Sequence, residues 1–117
     1  MESILLPYSQ WIADWYVIEE IDTTNLSYRK AMITFTDGST VAVFEKLHRR
    51  DNHFRYGYQW QTADDTLIIR WDNALHFPAI GTYPNHQHIG SETNVHESAF
   101  MTLDSVLQVI IGSLTSS

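Results

Sequence analysis

The sequence predicts an α+β domain: an antiparallel β-meander of about five strands, a C-terminal α-helix packed on one face, and a long His-rich loop. Two hairpin-like runs of alternating polarity fill residues 31–72, and an amphipathic run closes the chain. No repeat, linker or block of like charge divides the 117 residues, so residues 1–117 are expected to form one domain with a frayed tail at 113–117.

The first strand is expected over Trp15–Ile21, after a short helix beginning near Pro7. Ala31–Thr36 and Thr40–Glu45 then flank Asp37-Gly38, a preferred pair for the type I′ turn of a two-residue hairpin. That turn sets Phe35 opposite Thr40, Ile33 opposite Ala42, Ala31 opposite Phe44 and Lys30 opposite Glu45. A second hairpin is expected from Phe54–Thr62 and Leu67–Asp72, turning at Asp64-Asp65. Period-2 alternation puts Tyr56, Tyr58, Trp60, Leu67, Ile69 and Trp71 on a core face. Arg55, Gly57, Gln59, Arg70 and Asp72 fall on the other face, with Gly57 opposite Asp72 leaving space above the sheet. At the end, Leu103, Val106, Leu107, Ile110 and Leu114 recur at helical spacing behind Thr102 as N-cap.

Composition narrows the chemistry. With no cysteine, disulfides, thiolate zinc sites and cysteine nucleophiles are excluded, and any metal must be held by His and carboxylate. A net charge of −7 argues against nonspecific coating of nucleic acid, which depends on many Lys and Arg. Arg49, Arg50, Arg55 and Arg70 nevertheless fall within twenty-two residues, leaving room for an enzyme that touches RNA at one site. No run approaches the roughly 20 apolar residues of a membrane span, and residues 1–7 lack a basic segment and a long apolar one. A cytoplasmic protein without membrane contact is expected.

From Asn73 to Met101 no period survives, and such long structureless loops usually bind something or move. Four of the six His lie there. His86-Gln87-His88, if extended, puts both imidazoles on one side, where they could share a divalent metal with His76 or Asp72 as third ligand. Acid–base chemistry needs no cofactor: His76 and His88 are suited to act as base and acid across a phosphodiester, assisted by His86. Arg70 is placed to grip the phosphate, with Arg55 and Asn73 as further substrate contacts and Asp72 orienting a histidine. The plainer reading of Arg70 and Asp72 is a same-strand ion pair worth at most about 1 kcal/mol if exposed. Trp11, Trp15, Trp60 and Trp71 read as core or dimer-interface anchors, while His48, His53 and His96 are isolated and take no role.

Arg55-Tyr56-Gly57-Tyr58-Gln59-Trp60, the run Leu67–Pro78 with Arg70-Trp71-Asp72-Asn73-Ala74 and His76-Phe77-Pro78, and Pro84-Asn85-His86-Gln87-His88 together resemble the TumE-like proteins. These are small bacterial proteins assigned as toxins of type II toxin–antitoxin systems. With the Asp-Gly hairpin before and Thr102–Leu107 after, the resemblance spans roughly residues 17 to 111. It implies a cognate antitoxin as partner and toxicity aimed at nucleic acid or translation. The family pattern often has His where this chain has Phe77 and Asn85; His76, His86 and His88 are retained. The resulting expectation is a toxin-like ribonuclease with a His/Arg/Asp site. Two alternatives stand beside it: a non-catalytic module whose loop binds a partner or a metal, and a structural oligomer. A homodimer through an exposed edge strand or an aromatic patch is expected in addition.

Overall fold

In the computed structural model, which describes residues 1–116, a short helix α1 (Glu2–Leu5) and a 3-10 turn (Leu6–Trp11) lead into seven strands and a final helix. The strands are β1 (Ile12–Asp22), β2 (Leu26–Phe35), β3 (Thr40–His48), β4 (His53–Gln61), β5 (Leu67–Asp72), β6 (His86–Ile89) and β7 (Val95–Glu97), and α2 covers Leu103–Thr115. They form one antiparallel sheet in chain order, each strand paired with the next. The expected α+β meander is present, but with seven strands rather than five. The two extra strands arise from the segment expected to be an unbroken loop. Alternation cannot reveal β6, because the residues it buries are His86 and His88, polar side chains held by hydrogen bonds.

The first hairpin corrects the expected register by one residue. Thr34 pairs with Thr40, Ile33 with Val41, Ala31 with Val43, Lys30 with Phe44 and Arg29 with Glu45. Phe35 N–H donates to Ser39 O at 2.8 Å, closing a three-residue loop in which only Gly38 has positive φ, at 88°. A type I′ turn would need positive φ at Asp37 too. Instead the Asp37 carboxylate accepts from the Ser39 backbone N–H at 2.9 Å and its hydroxyl at 2.6 Å, fixing the longer loop. Burial explains the choice: this register gathers Ala31, Ile33, Phe35, Val41 and Val43 on one dry face, which the shorter turn would have split between faces.

The second hairpin keeps Gly57 opposite Asp72, Tyr58 opposite Trp71 and Trp60 opposite Ile69. Its turn also has three residues, with Asp65 taking positive φ, at 66°. A bulge follows Trp60, so that Ile68, and not Leu67, packs against the core. At the N-terminus the helix precedes Pro7 instead of starting there, and β1 is longer than expected at both ends.

The helix α2 seals the core face. Leu103, Val106, Leu107, Ile110 and Ile111 join Ala31, Ile33, Phe35, Val41, Val43, Tyr56, Tyr58, Trp60 and Trp71 in one cluster. Each fully buried Val, Leu, Ile or Phe side chain among them contributes roughly 1.5–3 kcal/mol. Thr102 caps the helix as expected, and Ser105 completes a capping box by accepting from the Thr102 N–H at 2.7 Å. Residues 113–115, expected in the frayed tail, form its last turn, where Leu114 packs on the core; Ser117 lies outside the described residues. No helix among the described residues is long and apolar enough to cross a membrane.

Two tyrosines tie the core to the strand ends. Tyr58 donates to Glu45 Oε2 at 2.7 Å, and Tyr56 donates to Asn85 Oδ1 at 2.8 Å. Burial pushes the Tyr56 phenol up to about 12, and burial with the adjacent Glu45 carboxylate raises Tyr58 further. A raised folded-state value means the stabilisation is fully present below the unfolded phenol value of about 10 and is lost as pH rises through the folded value. Denaturant midpoints should therefore fall steeply above about pH 10, with Tyr56 accounting for about 2–3 kcal/mol of the loss by pH 12. Tyr56→Phe should make that fall shallower; a midpoint flat to about pH 11 would contradict this assignment.

Candidate functional site

Strands β5 and β6 pair with Arg70 opposite His88 and Asp72 opposite His86. Because side chains alternate, these four all leave the face turned away from α2, as two i,i+2 pairs set about 5 Å apart across the ladder. The site is thus a square of side chains on regular strands.

At its centre is the Asp72 carboxylate. Oδ1 lies 2.9 Å from His86 Nε2 and accepts the Ala74 backbone N–H at 3.0 Å. Oδ2 accepts from Arg70 Nε at 3.1 Å and lies 3.6 Å from His88 Nε2. Arg70 also donates from Nη2 to His88 Nε2 at 3.2 Å and from Nη1 to Glu92 Oε1 at 2.7 Å. Asp72, His86 and His88 are 9%, 1% and 2% exposed, so water contributes little to holding these charges. The expected Arg70–Asp72 ion pair is present, but shielded and shared among four groups, so the exposed-pair estimate does not describe it.

The ring orientations are fixed from behind. His86 Nδ1 donates to Pro84 O at 2.9 Å and His88 Nδ1 donates to Glu92 O at 2.8 Å. A carbonyl only accepts, so both rings carry hydrogen on Nδ1 and direct Nε2 at Asp72. For His88 that nitrogen accepts from Arg70. For His86 the contact between Nε2 and Oδ1 requires a proton or a cation between the two atoms.

Ligand atoms of Asp72, His86 and His88 lie within 4.8 Å of one another, a donor set that suits zinc or a non-haem transition metal. Nδ1 tethering to backbone carbonyls is the usual support of a metal-ligating histidine. Arg70 competes for the same atoms, so an ion entering here would displace its guanidinium.

Of the residues singled out in the sequence, Arg70, Asp72, His86 and His88 come together. His76 does not join them: it is exposed on the loop, its ring 6.3 Å from that of Phe77. Asn73 is buried and committed to β4, donating to Phe54 O at 2.7 Å and accepting from Tyr56 N–H at 2.9 Å. Arg55 is two positions from Gly57 on the same open face, outside hydrogen-bond reach of the square.

Three contributors were not foreseen. The Phe77 ring packs edge-on against His86 at 4.8 Å and His88 at 5.8 Å, covering both. Glu92 holds Arg70 with its carboxylate and His88 with its carbonyl. Asn85 anchors the loop to Tyr56. Gly90, with φ of 74° between β6 and β7, was the one sequence mark of the turn that delivers Glu92.

A family model described as Toxin TumE matches residues 2–115, extending beyond both ends of the stretch whose motifs carried the resemblance. The comparisons found no matching curated protein and no matching solved structure. With nearly the whole chain covered by that model, the protein belongs to the TumE toxin family.

Proposed function

We propose that the chain is the toxin of a bacterial toxin–antitoxin pair, held in check by a cognate antitoxin in the cytoplasm, and that it acts by cleaving RNA at the Asp72 site. The observation that supports this reading is the convergence of two imidazole Nε2 atoms and one guanidinium on a single buried carboxylate. Arg70, 28% exposed at its side chain, is the member a phosphodiester meets first and would offset charge developing on phosphorus. His88, next to it, and His76, on the loop beyond the Phe77 ring, are suited to take the 2′-hydroxyl proton and return one to the leaving 5′-oxygen. His86 and Asp72 hold the geometry. Both inner rings are covered here, so the reaction requires Phe77 to swing aside and Arg70 to exchange Asp72 for phosphate.

Inducing the wild-type chain in bacteria should arrest growth and leave fragmented RNA. His88→Ala should relieve both, lowering cleavage by about 10²–10⁴, with His76→Ala also impaired. Arrest and cleavage undiminished in folded His88→Ala and His76→Ala variants would contradict the assignment.

The two Nδ1–carbonyl tethers favour a second reading, in which Asp72, His86 and His88 hold a divalent cation. Zinc at a hundredfold excess over its Kd should then raise stability by about 2.7 kcal/mol, and EDTA should reverse it. An unfolding temperature unmoved by zinc, manganese or EDTA would exclude this reading.

A further inference from the structure

The face of the sheet opposite α2 holds more positive charge than the acidic chain as a whole. Lys30, Lys46, Arg55 and Arg70 all lie on it, four of the seven basic residues. A groove of about 490 Å³ crosses this face, lined among others by Lys30, Phe44, Arg55, Gly57, Arg70 and Asp72. It runs from Ile18 on β1 to the edge of the site described above.

Three features of the groove and of its margin, where Lys46 lies beside Arg55, are unexplained by folding. Lys46 stands directly opposite Arg55, a like-charge pair that destabilises adjacent strands unless an anion lies between them. Neither residue forms an ion pair among the described residues, nor does Lys30, although Glu19 is its cross-strand neighbour. The Arg55 Nε is buried without any hydrogen-bond partner. Between these cations Ala42, Phe44 and Gly57 make the floor mostly apolar. Phe44 faces Gly57 across the ladder, and a Cβ on Gly57 would come within 4.0 Å of Phe44 and 3.9 Å of Asp72.

We infer that this groove is a binding track for single-stranded RNA, with Lys30 and Arg55 in the groove and Lys46 at its margin holding phosphates and Phe44 offering a ring for a base. The inference rests on the RNA-cleavage reading and supplies its substrate path. Cations spaced around an aromatic ring are the recognised chemistry of single-strand binding; the Phe44 ring is half-buried, with Tyr28 edge-on against it at 5.7 Å, and the missing side chain at Gly57 leaves room beside it for a base. The seven-strand order places Asp72 directly beside Gly57 and two strands beyond Phe44, so a strand lying in the groove ends at Arg70. Carboxylates elsewhere repel RNA, which confines it to this track.

The test uses a fluorescent 2′-O-methyl oligouridylate of about twelve nucleotides, which lacks the hydroxyl that cleavage consumes. Wild type should bind it, and Lys30→Gln/Lys46→Gln/Arg55→Gln should weaken binding about tenfold or more. The slope of log K against log salt should fall by about 2, at roughly 0.7 per phosphate contact. Arg49→Gln/Arg50→Gln, in the turn outside the groove, should bind like wild type, and thermal unfolding confirms that each variant is folded. No binding by wild type, or equal weakening in both variants, would overturn the track. RNA cleavage with unchanged KM in the triple variant would overturn the track while leaving the cleavage reading intact. Binding lost in the triple variant, from a wild type that cleaves no RNA, would support the track and overturn cleavage.

Discussion

Two imidazoles, a guanidinium and a backbone N–H are all directed at the Asp72 carboxylate, and both imidazoles and the guanidinium are themselves held by a second contact. Such a cluster repays the desolvation of its charges only while every member is present, and breaking a buried pair typically costs about 3–5 kcal/mol. The pairing of β5 with β6 is therefore as much electrostatic as it is backbone hydrogen bonding. Without Asp72, β6 would bring the Nε2 of His86 into a dry position with nothing to receive it.

The rest of the molecule serves to hold that carboxylate still. Gly57 beside it and the core residues Tyr56 and Tyr58 are successive positions of β4, so the dry face fixes the strand whose open face borders the site. Tyr56 reaches further, donating to Asn85 and accepting from the Met101 N–H at 3.4 Å, which joins the loop before β6 and the segment before α2 to one phenol. Asn73 binds the start of β4 to the end of β5 from the other side. Core packing and site geometry share these side chains. A weakness in the core near Tyr56 would consequently loosen the histidines as well.

Much of this was legible because apolar alternation has a fixed period. Tyr56, Tyr58, Trp60 and Trp71 declared the core face, and the same period placed Arg70 and Asp72 opposite. The capped helix was equally plain from Thr102 and the spacing of its apolar residues. What failed has specific causes. The Asp37-Gly38 pair does not distinguish a two-residue turn from a three-residue loop, since both need positive φ at Gly38, and one residue of slip turned Lys30–Glu45 into Arg29–Glu45. Strand β6 buries histidines and β7 is only partly buried at Val95 and exposed at His96 and Glu97, so neither carries a hydrophobic period. The site was found through residue type and spacing, whereas Phe77 and Glu92 act through contacts that only the closed loop creates.

Hydrogen placement on the two buried imidazoles decides whether His86 and His88 are locked with Nε2 toward Asp72. Long-range ¹H–¹⁵N correlation spectra of the rings read it without reference to any activity. Hydrogen is expected on Nδ1 of both rings, with both Nε2 resonances displaced in Asp72→Asn. A bare Nδ1 on either ring would contradict it, because the Pro84 or Glu92 carbonyl would then face a lone pair and the orientation toward Asp72 would lose its support.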